Sequence, residues 1–163
     1  MRACEQRLQG TVRAIHIMDR EGDNYDLLSE LEAAQSRYII RLSHDRRPVG
    51  ERDKLREVVG RAPSLFRREV HVGRRAAGLP RDHQAPREAR EATLEVSATT
   101  VQLSRSSNFA PGSPPSLKVN VVTVLERDCP EGQEPIAWYL VTTSRSTLPS
   151  RLPRWWTPTA PDG

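Results

Sequence analysis

The chain is poor in aromatic residues, cysteine and lysine. Phenylalanine, tyrosine and tryptophan make up 5% of its 163 residues, and apolar residues as a whole only 36%. Both figures are low for a self-sufficient core, and the length leaves room for one domain or parts of two. Cys4 and Cys129 are the only cysteines, so no Cys-x-x-Cys pair exists. The histidines (His16, His44, His71 and His83) show no ligand spacing. This pattern argues against a disulfide framework and a zinc site, and makes a reducing cytoplasm the expected compartment. There is no apolar run long enough to cross a membrane and no signal-peptide pattern at the start. A Gly-x-Gly-x-x-Gly loop, a Gly-x-Ser-x-Gly elbow and a Walker motif are also missing, which removes the usual signatures of dinucleotide, hydrolase and P-loop chemistry.

What the chain has is arginine and proline. Lys54 and Lys118 are the only lysines among 25 basic residues, and 13 prolines mark a loop-rich polypeptide. The net charge is +4 and the pI near 9.6, a balance that favours a polyanionic partner. Between Arg67 and Arg90, seven arginines face three acids. Arginine suits bidentate phosphate contacts, although a GC-rich genome produces the same composition.

Val12–Met18 reads as a short buried strand. Asp23 or Asn24 can cap a following helix, on which Leu27, Leu31 and Ala34 share a face with Leu28 beside them, while Asp26, Ser29 and Glu30 point outward. Arg37–Leu42 is a second strand, and together these make a βαβ unit with parallel strands. After Ser43 the chain turns to a charged loop, a short helix at Leu55–Val59 and a strand at Leu65–Val72. A basic loop at Gly73–Arg90 follows. Thr93–Arg105 is β structure whose apolar residues change parity, which predicts a bulge or turn near Ala98–Thr100. A loop at Ser106–Ser116 separates it from strands at Leu117–Leu125 and Ile136–Thr143. The segment 144–163 shows no period and is expected to be disordered.

The chemistry-bearing stretch is Ile15–Asp23, "IHIMDREGD". Asp19 should sit at the carboxyl end of its strand, where α/β folds place ligands. Asp19, Glu21 and Asp23 offer hard oxygen ligands for Mg²⁺. Two-metal phosphoryl transfer needs several such carboxylates converging to hold cations about 4 Å apart. On these residues alone, a polar turn between strand and helix is the simpler account, because acidic turns there are common.

"IHIMDREGDNYDLLSEL", then "RYIIRLSHDRR", then a β-rich stretch ending in "IAWYLVTTS", resembles the bacterial cut-and-paste DDE transposases of the insertion-sequence family four. The resemblance covers roughly Val12–Leu148. It implies a partial RNase H-like core over 1–42, a β-rich insertion over 43–143 and a tail over 144–163. Asp19 then matches the second of three catalytic, Mg²⁺-binding acids. Arg41 matches an arginine near transposon-end DNA, and Trp138 an aromatic that stacks on a flipped base. As bare residues, Arg41 also fits an ordinary surface arginine and Trp138 a core strand position. The partners implied are DNA and a full-length transposase.

The family's first acid belongs well upstream of Asp19, and its third to a helix announced by Tyr-x-x-Arg-Trp. Neither is visible here, so the resemblance implies a fragment without catalysis of its own. An alternative is a non-catalytic module that binds DNA or inhibits an intact transposase, and an independent enzyme built on Asp19, Glu21 and Asp23 is a third. A sheet lacking its first strands and last helix should expose an edge and an apolar face. Trp155–Gly163 must be encoded TGG TGG ACN CCN ACN GCN CCN GAY GGN. Read one base earlier, that string permits Val-Val-Asp-Ala-Tyr-Arg-Ala-Arg-Trp, so the tail is expected to be a frameshift product. Sequencing the gene checks this: the shifted frame should read Tyr-x-x-Arg-Trp-x-x-Glu, and any other reading ends the idea.

Overall fold

The computed structural model describes residues 14–76, 86–105 and 112–143. The tail expected to be disordered lies outside them. The described chain is mixed α/β and mostly strand. Its elements are β1 (Ile15–Met18), a 3₁₀ turn (Arg20–Gly22), α1 (Tyr25–Ala33), β2 (Arg37–Arg41), α2 (Leu55–Gly60), β3 (Ser64–Val72), β4 (Arg90–Ser104), β5 (Ser116–Arg127) and β6 (Ala137–Thr142). The strands form one sheet in the order β1-β2-β6-β5-β4-β3.

The βαβ unit is present, with β1 and β2 parallel and Met18 opposite Ile40. Every other named pair is antiparallel. β1 is not the buried strand its apolar residues suggest. It stands at the end of the strand order, and Ile17 is 75% exposed. A short apolar run does not reveal whether its strand will be central or at an edge, because that depends on pairing with distant segments.

Local chemistry sets both ends of α1. Asn24, rather than Asp23, is the N-cap: its side-chain oxygen accepts from the backbone N–H groups of Asp26 at 2.8 Å and Leu27 at 3.5 Å. The C-terminus closes with Ser36 N–H donating to Leu31 O at 2.9 Å and Gln35 N–H donating to Glu32 O at 3.0 Å. This is a Schellman turn, and Gln35 takes the left-handed position at φ 53° that glycine usually fills. The buried stripe is Tyr25, Leu28 and Leu31. Leu27 is only half-buried and Ala34 is exposed. The expected face was misplaced because the Tyr25 ring turns inward while its hydroxyl donates to Pro114 O at 2.8 Å. Ala34 is already the C-cap.

Those α1 residues pack with Leu55 and Val59 of α2 onto Tyr38, Ile40, Val101, Leu103, Leu117, Val119, Val121 and Val141. Each fully buried aliphatic side chain contributes about 1.5–3 kcal/mol. The loop between β2 and α2 is tied to the sheet. Val49 N–H donates to Gln102 O at 2.7 Å, along the stretch of β4 beyond the end of its pairing with β3. Asp45 Oδ1 accepts from Arg56 N–H at 3.0 Å at the start of α2. No helix among the described residues is long and apolar enough to cross a membrane.

The parity change in β4 is real, but no bulge repairs it. The β4–β5 ladder runs without a shift from Thr93 opposite Arg127 to Ser104 opposite Ser116. Strict alternation therefore sends Val101 and Leu103 to the helix-covered face and Ala92 and Val96 to the other. All four are buried, so the sheet covers opposite faces at the two ends of one long strand. The irregularity lies on the neighbouring strand, where the β3 register slips between Ser64 and Phe66.

Gln35 supplies a direct test of this architecture. Replacing it by glycine removes the strain of a left-handed L-residue and should stabilise the chain by about 0.5–1 kcal/mol. Gln35→Val should destabilise it, both effects being read from urea midpoints at unchanged m-value.

Candidate functional site

Asp19 follows the last residue of β1 and opens the 3₁₀ turn. Arg41 ends β2, and the parallel register that sets Met18 opposite Ile40 carries Asp19 and Arg41 to neighbouring strand ends. Their side chains meet, with Arg41 Nη1 lying 3.6 Å from Asp19 Oδ1. Trp138 arrives from the other side. Arg41 pairs with Leu140 of β6, and Trp138 lies two residues from Leu140 on the same sheet face. The Arg41 guanidinium carbon lies 5.8 Å from the centre of the indole, within cation–π range.

The three residues singled out from the sequence thus form one chain of contacts, Asp19–Arg41–Trp138. Trp138 is 42% exposed and is not a core residue. The Arg41 side chain is 29% exposed, held between a carboxylate and an indole. By strand alternation Ile17, Ile39 and Leu140 share this face with them. Ile39 and Leu140 are only half-buried, so an apolar strip flanks the arginine.

Asp23 has a different position from either reading of it. It is neither the helix cap nor a metal ligand facing solvent, for its side chain is completely buried. Oδ2 accepts from Ser43 N–H at 2.7 Å and His44 N–H at 2.8 Å, with Ser43 Oγ at 3.2 Å and His44 Nδ1 at 3.1 Å. Oδ1 accepts from Arg46 Nη1, while Arg46 Nη2 donates to the Asp23 carbonyl at 3.0 Å. Burial alone would push this carboxyl up, but the donors from His44, Arg46 and Ser43 outweigh it. They hold Asp23 below its ordinary value of 3.8. Sequence reading missed Ser43, His44 and Arg46 because nothing local links them to a residue twenty positions earlier.

Two further carboxylates are clamped farther along the sheet. Glu126 accepts from Arg90 through both oxygens at 2.8 Å, and from Ile136 N–H at 2.8 Å. Glu95 accepts from Arg67 Nε at 2.8 Å and from Arg127. Both are held below the ordinary carboxylate range, Glu126 first by its Arg90 bonds and Glu95 by those from Arg127 and Arg67.

The set is a poor cage for a cation. Among the described residues no three His, Cys, Asp or Glu side chains converge on a metal position. Asp19 contributes one exposed carboxylate with an arginine beside it, and Asp23 has its oxygens filled by protein donors. What the arrangement can do is present a cationic plane and an aromatic face together. No known family model matches the chain.

The Asp23 carboxylate gives a pH signature. Its folded value is depressed, so the stabilisation is complete above the ordinary value of 3.8 and is lost as pH falls through the lower folded value. Asp23→Asn should cost about 2–4 kcal/mol at pH 7, because buried donors lose their acceptor. The gap between wild type and variant should shrink below about pH 4. Urea denaturation across pH 2–7 reads both effects.

Proposed function

We propose that this chain derives from a DDE transposase of the insertion-sequence family four, built on part of an RNase H-like core. In this reading it retains a DNA-contacting surface without strand-cleaving chemistry. The observation that carries the reading is the convergence of Asp19, Arg41 and Trp138, which stand far apart in the sequence and meet at the strand ends. Arg41 supplies a fixed positive charge for a phosphate, and the exposed Trp138 face supplies stacking for a base outside a duplex. In this reading Asp19 is the second member of the family's acid triad. Asp19 would be the residue to hold Mg²⁺, which when bound would supply charge neutralisation for a phosphate, and the Arg41 guanidinium beside its carboxylate weakens that hold. Such a surface without cleavage would compete with an intact transposase for transposon ends.

Purified protein and short DNA duplexes, with and without an unpaired base, provide the test. Retention should be salt-sensitive, and no nicking should appear with Mg²⁺. Arg41→Ala should reduce the salt slope by about one phosphate contact on every duplex. Trp138→Ala should weaken binding to the unpaired-base duplex by about 5- to 100-fold and leave the fully paired duplex almost unchanged. Absence of DNA retention at low salt would end the reading. Mg²⁺-dependent nicking that disappears in Asp19→Asn would restore an active enzyme.

A further inference from the structure

We infer that Asp23 is the positioning residue of this site: by gripping the segment after β2, it sets Asp19 against Arg41 and so fixes the Arg41 guanidinium over Trp138. This rests on the reading of Arg41 and Trp138 as the DNA-contacting pair.

The Arg41–Asp19 contact cannot hold itself in place. Asp19 is 74% exposed, and an ion pair at 3.6 Å in that setting is worth little. The sheet holds Arg41, through its pairing with Leu140 and the next bond from Leu42 N–H to Tyr139 O at 2.8 Å, but it does not hold Asp19. The β1–β2 ladder ends at Met18 opposite Ile40, one residue short of Asp19. Beyond that rung, the turn that carries Asp19 is tied to the segment after β2 through Asp23, with Ser43 Oγ adding a bond to Arg20 O at 3.4 Å.

The connection is short and stiff on both sides. From Asp23 back to Asp19 the chain is closed by Gly22 N–H donating to Asp19 O at 2.8 Å and Asp23 N–H donating to Arg20 O at 3.1 Å. Gly22 lies so close under Met18 that an added Cβ would stand 2.7 Å from the Met18 Cβ, so the turn cannot relax toward the strand. On the other side, Ser43 stands two residues after Arg41 and donates its backbone N–H to Asp23 Oδ2 at 2.7 Å. His44 adds a second backbone bond, and Arg46 binds both the carboxylate and the carbonyl of Asp23. Displacing Asp23 therefore moves Asp19 away from the end of β2, which the sheet holds. The Arg41 guanidinium, released from Asp19, then leaves its place over the Trp138 ring.

An aspartate suits this task because one oxygen must face several donors. Asparagine keeps a single carbonyl acceptor and turns an N–H₂ toward the remaining donors.

The test is a ¹⁵N spectrum of the full chain. The Arg41 Nε–H resonance is assigned by its loss in Arg41→Lys and the Trp138 indole N–H by its loss in Trp138→Phe. In the wild type, Arg41 Nε–H should be shifted by the indole ring current. Asp23→Asn should abolish most of that shift and move the indole resonance while the other amide signals stay dispersed. Glu95→Gln, which breaks the clamp with Arg67 and Arg127, is the control for mere destabilisation and should leave both resonances in place. If Asp23→Asn does not fold, Arg46→Lys and Ser43→Ala each remove part of the donor set and should move the resonances in the same direction. Unmoved resonances in the folded latch variants, or an equal movement in Glu95→Gln, would overturn the inference. Binding to the unpaired-base duplex should fall in Asp23→Asn about as far as in Arg41→Ala. Should the wild type bind no DNA, the functional reading fails while the resonances still decide the role of Asp23.

Discussion

The antiparallel seam between β2 and β6 holds the rest of the structure in place. Three paired positions, Ile39 with Thr142, Ile40 with Val141 and Arg41 with Leu140, join the parallel βαβ unit to the antiparallel strands. Tyr38 N–H and Thr143 Oγ1 extend the seam at one end at 3.2 Å, and Leu42 N–H and Tyr139 O at the other at 2.8 Å. Without it, β1 and β2 would be a two-stranded unit carrying a single helix, too small to bury its own apolar face. With it, Ile40 and Val141 become fully buried neighbours, and the α1 stripe gains the side chains of β4 and β5 as a floor. The same seam brings Trp138 across to Arg41.

A core with so few aromatic residues draws its cohesion from two sources. Valine and leucine fill the space under α1 and α2, with Tyr25 and Tyr38 as its largest fully buried side chains. Hydroxyl groups on those rings need partners when buried, and each has one, Pro114 O for Tyr25 and Glu32 Oε1 for Tyr38. The second source is arginine. Asp23, Glu95 and Glu126 are buried acids, and each is matched by one or two guanidinium groups arriving from another segment. Buried ion pairs of this kind add little net stability, but removing one partner is costly, so they favour one arrangement of strands over its neighbours. Part of the arginine excess is thus committed to the sheet rather than to a polyanion.

The face of the βαβ unit opposite α1 is more open. Ile17 is largely exposed, Ile39 and Leu140 are half-buried, and Arg41 and Trp138 lie among them. An apolar strip carrying a cation and an open indole is suited to a base and its phosphate. Asp19, at the edge of this face, is exposed and lies beside Arg41. Asp23, its neighbour in the "DREGD" run, is turned inward to serve the backbone.

Much of this was legible in the residues. The βαβ unit, the short helix near residue 55 and the four later strands follow from apolar spacing, β-branched content and turn residues, which act over a few positions. The parity change in β4 was visible too, yet its cause was not, because which face of a long strand is covered at each end depends on distant segments. The edge position of β1 and the inward turn of Tyr25 were equally hidden, since both depend on partners far along the chain. Asp19 could be singled out by type and setting, and Arg41 and Trp138 through the resemblance alone. That they touch was decided by the β1–β2 register and the β2–β6 seam. The sequence by itself determined which segments become helix and strand, and which residues carry charge and aromatic surface. Only the tertiary structure decided that Asp23 is a buried latch while Asp19 is an exposed acid, because a carboxylate's role depends on whether donors from distant segments surround it.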